Sequence, residues 1–338
     1  RGVQLIAIPY SAMIMTLASE FGTSRNQASL ATNTLAVAAS AAVLGLSDNR
    51  LIAALENVFG QDHQALELNT RAVEIAYEFI NQLCGAAASQ AWLHNQQVDN
   101  ETLLLNGSQS VALGKLAAGL TFQTYYPISP ASDESVFLEQ QNPIPLFNGQ
   151  HLAPLVLQVE DEMSAAAMAC GAALTGARSA TSTSGPGFCL MTESIGWAGM
   201  NEVPLVVSLY QRGGPSTGMP TRTEQGDLRF AIHSGHGEFP RLVMASGDIN
   251  DCFFDSLQAF NYAERYQLPV IHLLDKALAS STQTLRRFHY EKKRVDRGER
   301  FTISDPDATP VERFIPTTSG ISPRPLLGQD NTQHWLSG

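Results

Sequence analysis

The sequence predicts a doubly wound, mostly parallel α/β sheet over residues 109–280, preceded by a partial, mainly helical portion of another domain. Three observations carry this. Apolar strand-like runs alternate with helical runs through 109–280, the spacing of parallel strands joined by crossover helices. The conformationally unusual loops YPISPASD, VEDE, TSGPG and QRGGPSTG each follow one of those strands, so all should meet at one edge of the sheet. Residues 1–92, by contrast, offer one strand-like run among several helical ones, and one strand cannot make a sheet.

Taken in order, VQLIAIPY reads as that lone strand. Ser24 or Asn26 can cap the long Ala- and Leu-rich segment NQASLATNTLAVAASAAVLGL, and Ser47 or Asp48 starts DNRLIAALENVF. LELNTRAVEIAYEFINQL reads as a third helix. Residues 93–108, polar and punctuated, read as a linker. The α/β series follows: helical SVALGKLAAGL, strand TFQTYYPI, capped helix ASDESVFLEQQ, strand APLVLQVE and helix EMSAAAMACGAALTGA. Next come SATSTS, a glycine turn, helix FCLMTESIGWAGM and strand PLVVSLYQ. RLVMASGD, helix NDCFFDSLQAFNYAERYQ and strand LPVIHLLDK close the series. Residues 281–338 show little periodicity and read as an extended connection to a further domain.

Composition narrows the function classes. A chain of 338 residues, 44% hydrophobic and 16% charged, can bury a substantial core in about two domains. Its 32 acidic against 21 basic residues give −11 at neutral pH, which argues against a nucleic-acid partner. The basic cluster RRFHYEKKRVDRGER (286–300) then reads as a solvated linker or a subunit contact. Cys84, Cys170, Cys189 and Cys252 stand apart without CxxC spacing, so within this chain they make neither a disulfide framework nor a cluster or zinc site. They read as buried and reduced, which places the protein in the cytoplasm. No apolar run reaches membrane-spanning length and no signal peptide is visible. Position 1 is Arg and runs directly into an apolar stretch, so the chain reads as part of a longer one.

Several chemistries lack their motifs. GxGxxG after a strand, GxxxxGK[ST], GxSxG and metal-ligand spacings of His and Cys are all missing, which sets aside a dinucleotide-binding dehydrogenase. His233 and His236 read as part of a polar turn. A carboxylate group and an anion-binding group remain. Glu160, Asp161 and Glu162 stand where a strand hands over to a helix. They either complement the helix dipole, or one of them faces the crevice with small residues behind it and exchanges a proton with a ring nitrogen. Arg212 ends a strand of buried character, where an unpaired guanidinium is costly; it needs an anion, either a ligand carboxylate or an internal partner such as Glu202 or Asp227. The glycines and prolines of residues 211–228 let the chain bend sharply after its strand and stiffen the turn.

The runs YYPISPASDE (125–134), QVEDEMSAA…CGAALTGARSATSTSGPGFCLMTESIGWAG and NEVPLVVSLYQRGGPSTGMPTRTEQGDL, continued by HSGHGEFPRLVMASGD, resemble the α subunit of 2-oxoacid:ferredoxin oxidoreductases. The likeness covers residues 110–280 in order and is nearest to the 2-oxoglutarate type, in which a γ-like domain precedes the α part; residues 1–92 resemble the end of that γ domain. The resemblance implies a thiamine diphosphate enzyme whose aminopyrimidine ring is held by this chain. It places the cofactor-activating glutamate on Glu162 and the arginine for the substrate's 1-carboxylate on Arg212. Ser129 stands where the family's YPITP motif has threonine, keeping the hydroxyl and losing a methyl. Thr221 is a further substrate contact, Pro127 and Ile128 border the cofactor, and Gly185 and Gly187 let backbone approach its ring. The diphosphate and Mg²⁺ motif GDG…N does not occur here, so a β subunit is implied to supply diphosphate binding, Mg²⁺ and a [4Fe-4S] cluster. Coenzyme A, ferredoxin and a 2-oxoacid are the implied reactants and (αβ)2 the implied assembly, with no nucleic acid and no membrane. Pyruvate or a branched 2-oxoacid is the alternative substrate, and a scaffold that retains the fold without catalysis is the alternative of another class.

Overall fold

The computed structural model describes residues 5–84, 99, 101–141, 144–145, 151–152, 154–290, 295–299, 301, 312–330, 332 and 334–336. The chain divides into two compact units, 1–98 and 99–338.

The first unit is helical throughout its described residues: α1 (Tyr10–Glu20), α2 (Arg25–Ala28), α3 (Thr32–Val43), α4 (Asp48–Phe59) and α5 (His63–Cys84). Ser24 caps α2 through a reciprocal box with Gln27. The expected single long helix is broken instead by a 3₁₀ turn at Ser29–Ala31, where alanines let the chain pack tightly and continue into α3. Residues 5–9 are not a strand: among the described residues of this unit there is no second strand to take their backbone hydrogen bonds, and Pro9 is the N-cap of α1. The core is Leu17, Leu35, Ala38, Ala72, Val73, Ala76 and Ile80, the apolar stripes of α1, α3 and α5.

In the second unit, β2 (Phe122–Tyr125), β5 (Leu155–Gln158), β6 (Ser179–Ser184), β7 (Leu205–Gln211), β8 (Leu242–Ala245) and β9 (Pro269–Asp275) form one parallel sheet in the order β5-β2-β6-β7-β9-β8. Two short antiparallel pairs accompany it: β1 (Thr102–Asn106) with β10 (Thr282–Arg286), and β3 (Ile144–Pro145) with β4 (His151–Leu152). Alternation along β7 assigns the two faces. Leu205, Val207 and Leu209 pack under α8 (Glu162–Leu174) and α9 (Gly185–Met200), while Val206 faces α6 (Gly107–Ala117), α7 (Ser132–Glu139) and α11 (Ile249–Tyr266). Two short helices, α10 (Leu228–His233) and α12 (Lys276–Ser280), complete the unit. Within this sheet β5 lies on one side of β2 and β6 on the other, so the connections diverge between β2 and β6. Such a divergence opens a crevice at the carboxyl ends of the two strands.

β6 explains how the helices come so close. Its sequence SATSTS is wholly buried and has no side chain larger than threonine. Ser179 Oγ donates to the Ala169 carbonyl at 2.7 Å and the Ser182 hydroxyl lies 3.0 Å from that of Ser135. Ala165, Ala166, Ala169 and Ala173 of α8 meet this thin strand with no exposed surface.

Two expectations are corrected. The linker assigned to 93–108 contains β1 and the start of α6, which Asn106 caps through a box with Gln109. β1 is stabilised by a partner almost two hundred residues later, so no local signal announces it. The rest of that linker, 93–98 and 100, lies outside the described residues. Residues 281–338 are not merely an extended connection. Besides β10, Arg297, Arg313 and Arg324 fold back on the unit, pairing with Glu264 (3.2 Å), Glu202 (2.7 Å) and Glu264 (3.5 Å). Glu264 also takes Arg178 at 2.8 Å, a guanidinium 2% exposed that further donates to Ala118 O, Asn261 Oδ1 and Asp296 O.

Arg178→Met should lower unfolding free energy by about 3 kcal/mol, since it strands several buried acceptors; urea unfolding measures this. His272 of β9, with no exposure, is held neutral by burial and by the charge of Lys115, its pKa pushed down to about 3. A base depressed in the folded state protonates preferentially in the unfolded chain. Its contribution is therefore complete above the ordinary histidine value and lost as pH falls toward 3, at up to about 1.4 kcal/mol per unit. The fall in melting temperature between pH 7 and 5 should be smaller in His272→Gln.

Candidate functional site

The four unusual loops do meet. β5, β2, β6 and β7 are consecutive neighbours in the sheet and parallel, so the segments after Gln158, Tyr125, Ser184 and Gln211 leave the same edge. The three acids after β5 then separate by role. Glu160 is exposed. Asp161 is the N-cap of α8, accepting from Ser164 N at 2.7 Å, and that bond holds its carboxyl below the ordinary range. Glu162, the first helical residue, turns inward and is 7% exposed. Among the described residues its carboxylate makes no hydrogen bond or ion pair, an expensive condition for a buried acid.

Glu162 rests on the first turn of α9. A methyl group placed on Gly187 lies 2.5 Å from Glu162 Oε1 and 2.2 Å from Thr183 Oγ1, closer than real contacts allow. Gly187 is therefore the space that the Glu162 side chain occupies. Gly185, one turn end earlier, faces the Asp227 carboxylate at 3.1 Å by the same construction. Burial, with the charge of Glu224, raises the Asp227 carboxyl, and its buried Oδ2 has no partner. The Ser184 hydroxyl, at the N-cap of α9, is likewise buried and unpaired.

Arg212 closes the crevice from β7. It is 7% exposed, and neither Glu202 nor Asp227 pairs with it; Glu202 is taken by Arg313. Two loop carbonyls hold the guanidinium instead. Nη1 donates to Ser129 O at 2.6 Å and Nη2 to Thr217 O at 2.5 Å, while Nε is buried without an acceptor among the described residues. Burial lowers its pKa. The result is a fixed cation bonded to two neutral carbonyls.

The loop after β7 is tied into a compact knot. Met219 N donates to Gly213 O at 2.7 Å and Gly213 N to Arg222 O at 3.0 Å, while Gln225 Nε2 donates to Asp275 Oδ2 at 2.7 Å. Gly218 holds a positive φ there, and a side chain on it would strike the Gly213 carbonyl. Thr221 is exposed within this knot. After β2, Ile128 N donates to Ser132 Oγ at 2.8 Å and Ile128 packs beside Tyr210. Pro127 and Ser129 are exposed, and it is the carbonyl of Ser129, not its hydroxyl, that meets Arg212.

The structure thus joins Glu162 to Gly187 and Arg212 to Ser129, at one edge of one sheet. Sequence reasoning missed Thr183, which carries no motif, and the buried Lys115–Glu134 pair, whose only signal is a lysine inside the apolar run SVALGKLAAGL; Asp227 it named only as a partner for Arg212, not as the carboxylate that faces Gly185. It also took every cysteine as buried. Cys170 and Cys252 are buried, with thiols pushed up to about 12, but Cys189 is exposed because it sits on the outer side of the first turns of α9; the Cys84 side chain lies outside the described residues. Among the described residues no group of His, Cys, Asp and Glu could hold a metal, and no helix is long and apolar enough to cross a membrane.

Comparison with known proteins gives the chain's family. Residues 113–323 match the family described as pyruvate flavodoxin/ferredoxin oxidoreductase, thiamine diphosphate-binding, and residues 1–79 match pyruvate ferredoxin/flavodoxin oxidoreductase. The α subunit of 2-oxoacid:ferredoxin oxidoreductase from Saccharolobus solfataricus is 44% identical over 97% of this chain and 51% of its own length. The 2-oxoglutarate synthase subunit KorA of Methanocaldococcus jannaschii is 33% identical over 68% of this chain and 59% of its own. Among solved structures, the 2-oxoglutarate:ferredoxin oxidoreductase of Magnetococcus marinus, with 2-oxoglutarate, coenzyme A and succinyl-CoA bound, superposes with a TM-score of 0.76 at 33% identity, covering 96% of this chain and 54% of that one. The chain spans about half the length of the relatives that match it end to end. It belongs to the pyruvate flavodoxin/ferredoxin oxidoreductase family and carries that family's thiamine diphosphate-binding domain.

Proposed function

We propose that this chain supplies the pyrimidine-binding half of an active site that oxidatively decarboxylates a 2-oxoacid with coenzyme A. The products are acyl-CoA, carbon dioxide and reduced ferredoxin, and the reaction can run in reverse. The observation that carries the reading is the Glu162 carboxylate, 7% exposed, without a partner among the described residues, and seated over a glycine at the sheet's switch point. A scaffold without catalysis has no use for such a group. Thiamine diphosphate, when bound, supplies the carbon nucleophile and electron sink that a 2-oxoacid needs to lose carbon dioxide.

The residues of this chain then divide the work. Glu162 holds a proton at a ring nitrogen of the aminopyrimidine, the task for which a buried carboxylate is suited. Gly185 and Gly187 let the backbone of α9 approach the ring, and Pro127 and Ile128 border it. Arg212 takes the substrate's 1-carboxylate on the donor edge that the two loop carbonyls leave free. Ser129 offers its hydroxyl beside it, and Thr221 a second one from the knotted loop. Diphosphate binding, Mg²⁺ and a [4Fe-4S] cluster are assigned to a β subunit in an (αβ)2 assembly, with the electrons leaving singly to ferredoxin. Residues 1–92 are assigned to the end of a γ-like domain. The unpaired buried cysteines suit a reducing cytoplasm. The relatives and the solved structure named for 2-oxoglutarate favour that substrate over pyruvate or a branched 2-oxoacid.

Ferredoxin reduction by the full-length chain assembled with its β subunit should be faster with 2-oxoglutarate than with pyruvate. Glu162→Gln should lower kcat by about 10²–10⁴-fold. Unchanged turnover in that variant would remove Glu162 from the chemistry and restore the scaffold. Gly187→Ala pushes a methyl into Thr183 and the Glu162 carboxylate; it should weaken thiamine diphosphate binding at least about tenfold, as titration of protein fluorescence can read, and cost about 1–3 kcal/mol of stability by overpacking.

A further inference from the structure

On the α6, α7 and α11 side of the sheet, just below the crevice, lies a polar cluster that the reading of the site has not used. Lys115 of α6, Gln123 of β2, Glu134 and Ser135 of α7 and Tyr210 of β7 are all without exposure. Lys115 Nζ is ion-paired with Glu134 Oε1 and donates to Gln123 Oε1 at 3.0 Å. Gln123 Nε2 donates to Glu134 Oε1 at 2.7 Å and to Ser135 Oγ at 2.8 Å. The Tyr210 hydroxyl donates to Glu134 Oε2 at 2.8 Å.

Stability alone does not account for this cluster. A buried ion pair is commonly replaced by apolar side chains at no loss, because desolvation offsets its attraction. What distinguishes it is the pair of segments it joins. Glu134 opens the helix that follows the Pro127–Ala131 loop, and Tyr210 stands two residues before Arg212 on β7. At the rim the same two segments meet again, where Arg212 Nη1 donates to the Ser129 carbonyl at 2.6 Å. Loop and strand end form a closed ring, with the guanidinium–carbonyl bond as its upper rung and Tyr210–Glu134 as its lower one.

We propose that Glu134, with Lys115 as its counter-charge and Tyr210 as its link to β7, is a positioning residue for Arg212. It fixes the Ser129 carbonyl relative to β7, so that this carbonyl engages one amino group of the guanidinium and the remaining donor edge keeps the orientation a 2-oxoacid carboxylate requires. The inference rests on the reading of Arg212 as the substrate's carboxylate site.

The experiment uses the full-length chain assembled with its β subunit and loaded with thiamine diphosphate and Mg²⁺. Tyr210→Phe removes the lower rung with little change of shape. The double variant Lys115→Met/Glu134→Leu removes the charges and keeps the volume, so it separates positioning from stability. Each is made in the Arg212 and Arg212→Lys backgrounds. With Arg212 present, the KM for 2-oxoglutarate should rise about tenfold in both variants, with kcat within about twofold and thiamine diphosphate affinity unchanged. In the Arg212→Lys background the same changes should alter KM by no more than about twofold, because the fork they orient is already gone. Equal effects in both backgrounds, or an unchanged KM with Arg212 present, would overturn the positioning role. An unmodified enzyme that turns over no 2-oxoacid overturns the function reading and this inference together. An active one in which Arg212→Lys raises KM while Tyr210→Phe does not overturns this inference alone.

Discussion

A buried guanidinium with no carboxylate paired to it among the described residues is the constraint around which the crevice is built. Arg212 loses hydration at 7% exposure and recovers part of it from two carbonyls, Ser129 and Thr217, that belong to different loops. Neither carbonyl neutralises the charge, which is why an anionic ligand is the proposed occupant. Holding those carbonyls in place requires the turn after β2 and the knot after β7, and each is pinned by its own bonds, Ile128 N to Ser132 Oγ and Met219 N to Gly213 O. Loops fixed in this way lose little further freedom when a ligand arrives, which leaves more of the contact energy available for binding.

The carboxylate half of the site obeys the same economy of space. Glu162 can turn inward only because α9 presents Gly187 to it and because β6 carries nothing bulkier than threonine. Alanines on α8 bring that helix down onto the thin strand. Charge, helix approach and glycine therefore depend on one another. A larger residue at any of the three points moves the carboxylate, and with it the group best suited to hold a proton at a ring nitrogen.

Much of this was legible in the sequence. The alternation of strands and helices through 109–280 gave the parallel sheet, because such strands are apolar on both faces and their loops fall at one edge. Arg212 after an apolar strand and the acidic trio Glu160, Asp161 and Glu162 at a strand-to-helix junction could be singled out from residue type and position alone, while the choice of Glu162 came from the family likeness. Which of three adjacent acids turns inward could not be chosen that way, since capping by Asp161 and burial of Glu162 are decided by packing against α9. Strand β1 was read as linker because its partner β10 is remote in sequence, and the arginines that fold the tail back have no periodicity to announce them. Lys115 and Glu134 escaped for a related reason: each looks like an ordinary polar residue of a helix until the sheet brings them together. The likeness to a known family supplied roles for Ser129, Thr221, Pro127 and Ile128 that the residues themselves do not state.

The most direct test is a crystal structure of the assembled αβ enzyme with thiamine diphosphate and a 2-oxoacid bound. The account predicts the substrate's 1-carboxylate within hydrogen-bond distance of the Arg212 guanidinium, between the Ser129 turn and the knotted loop, with Glu162 against the aminopyrimidine. A carboxylate held by other residues, with Arg212 still occupied only by the Ser129 and Thr217 carbonyls, would contradict it.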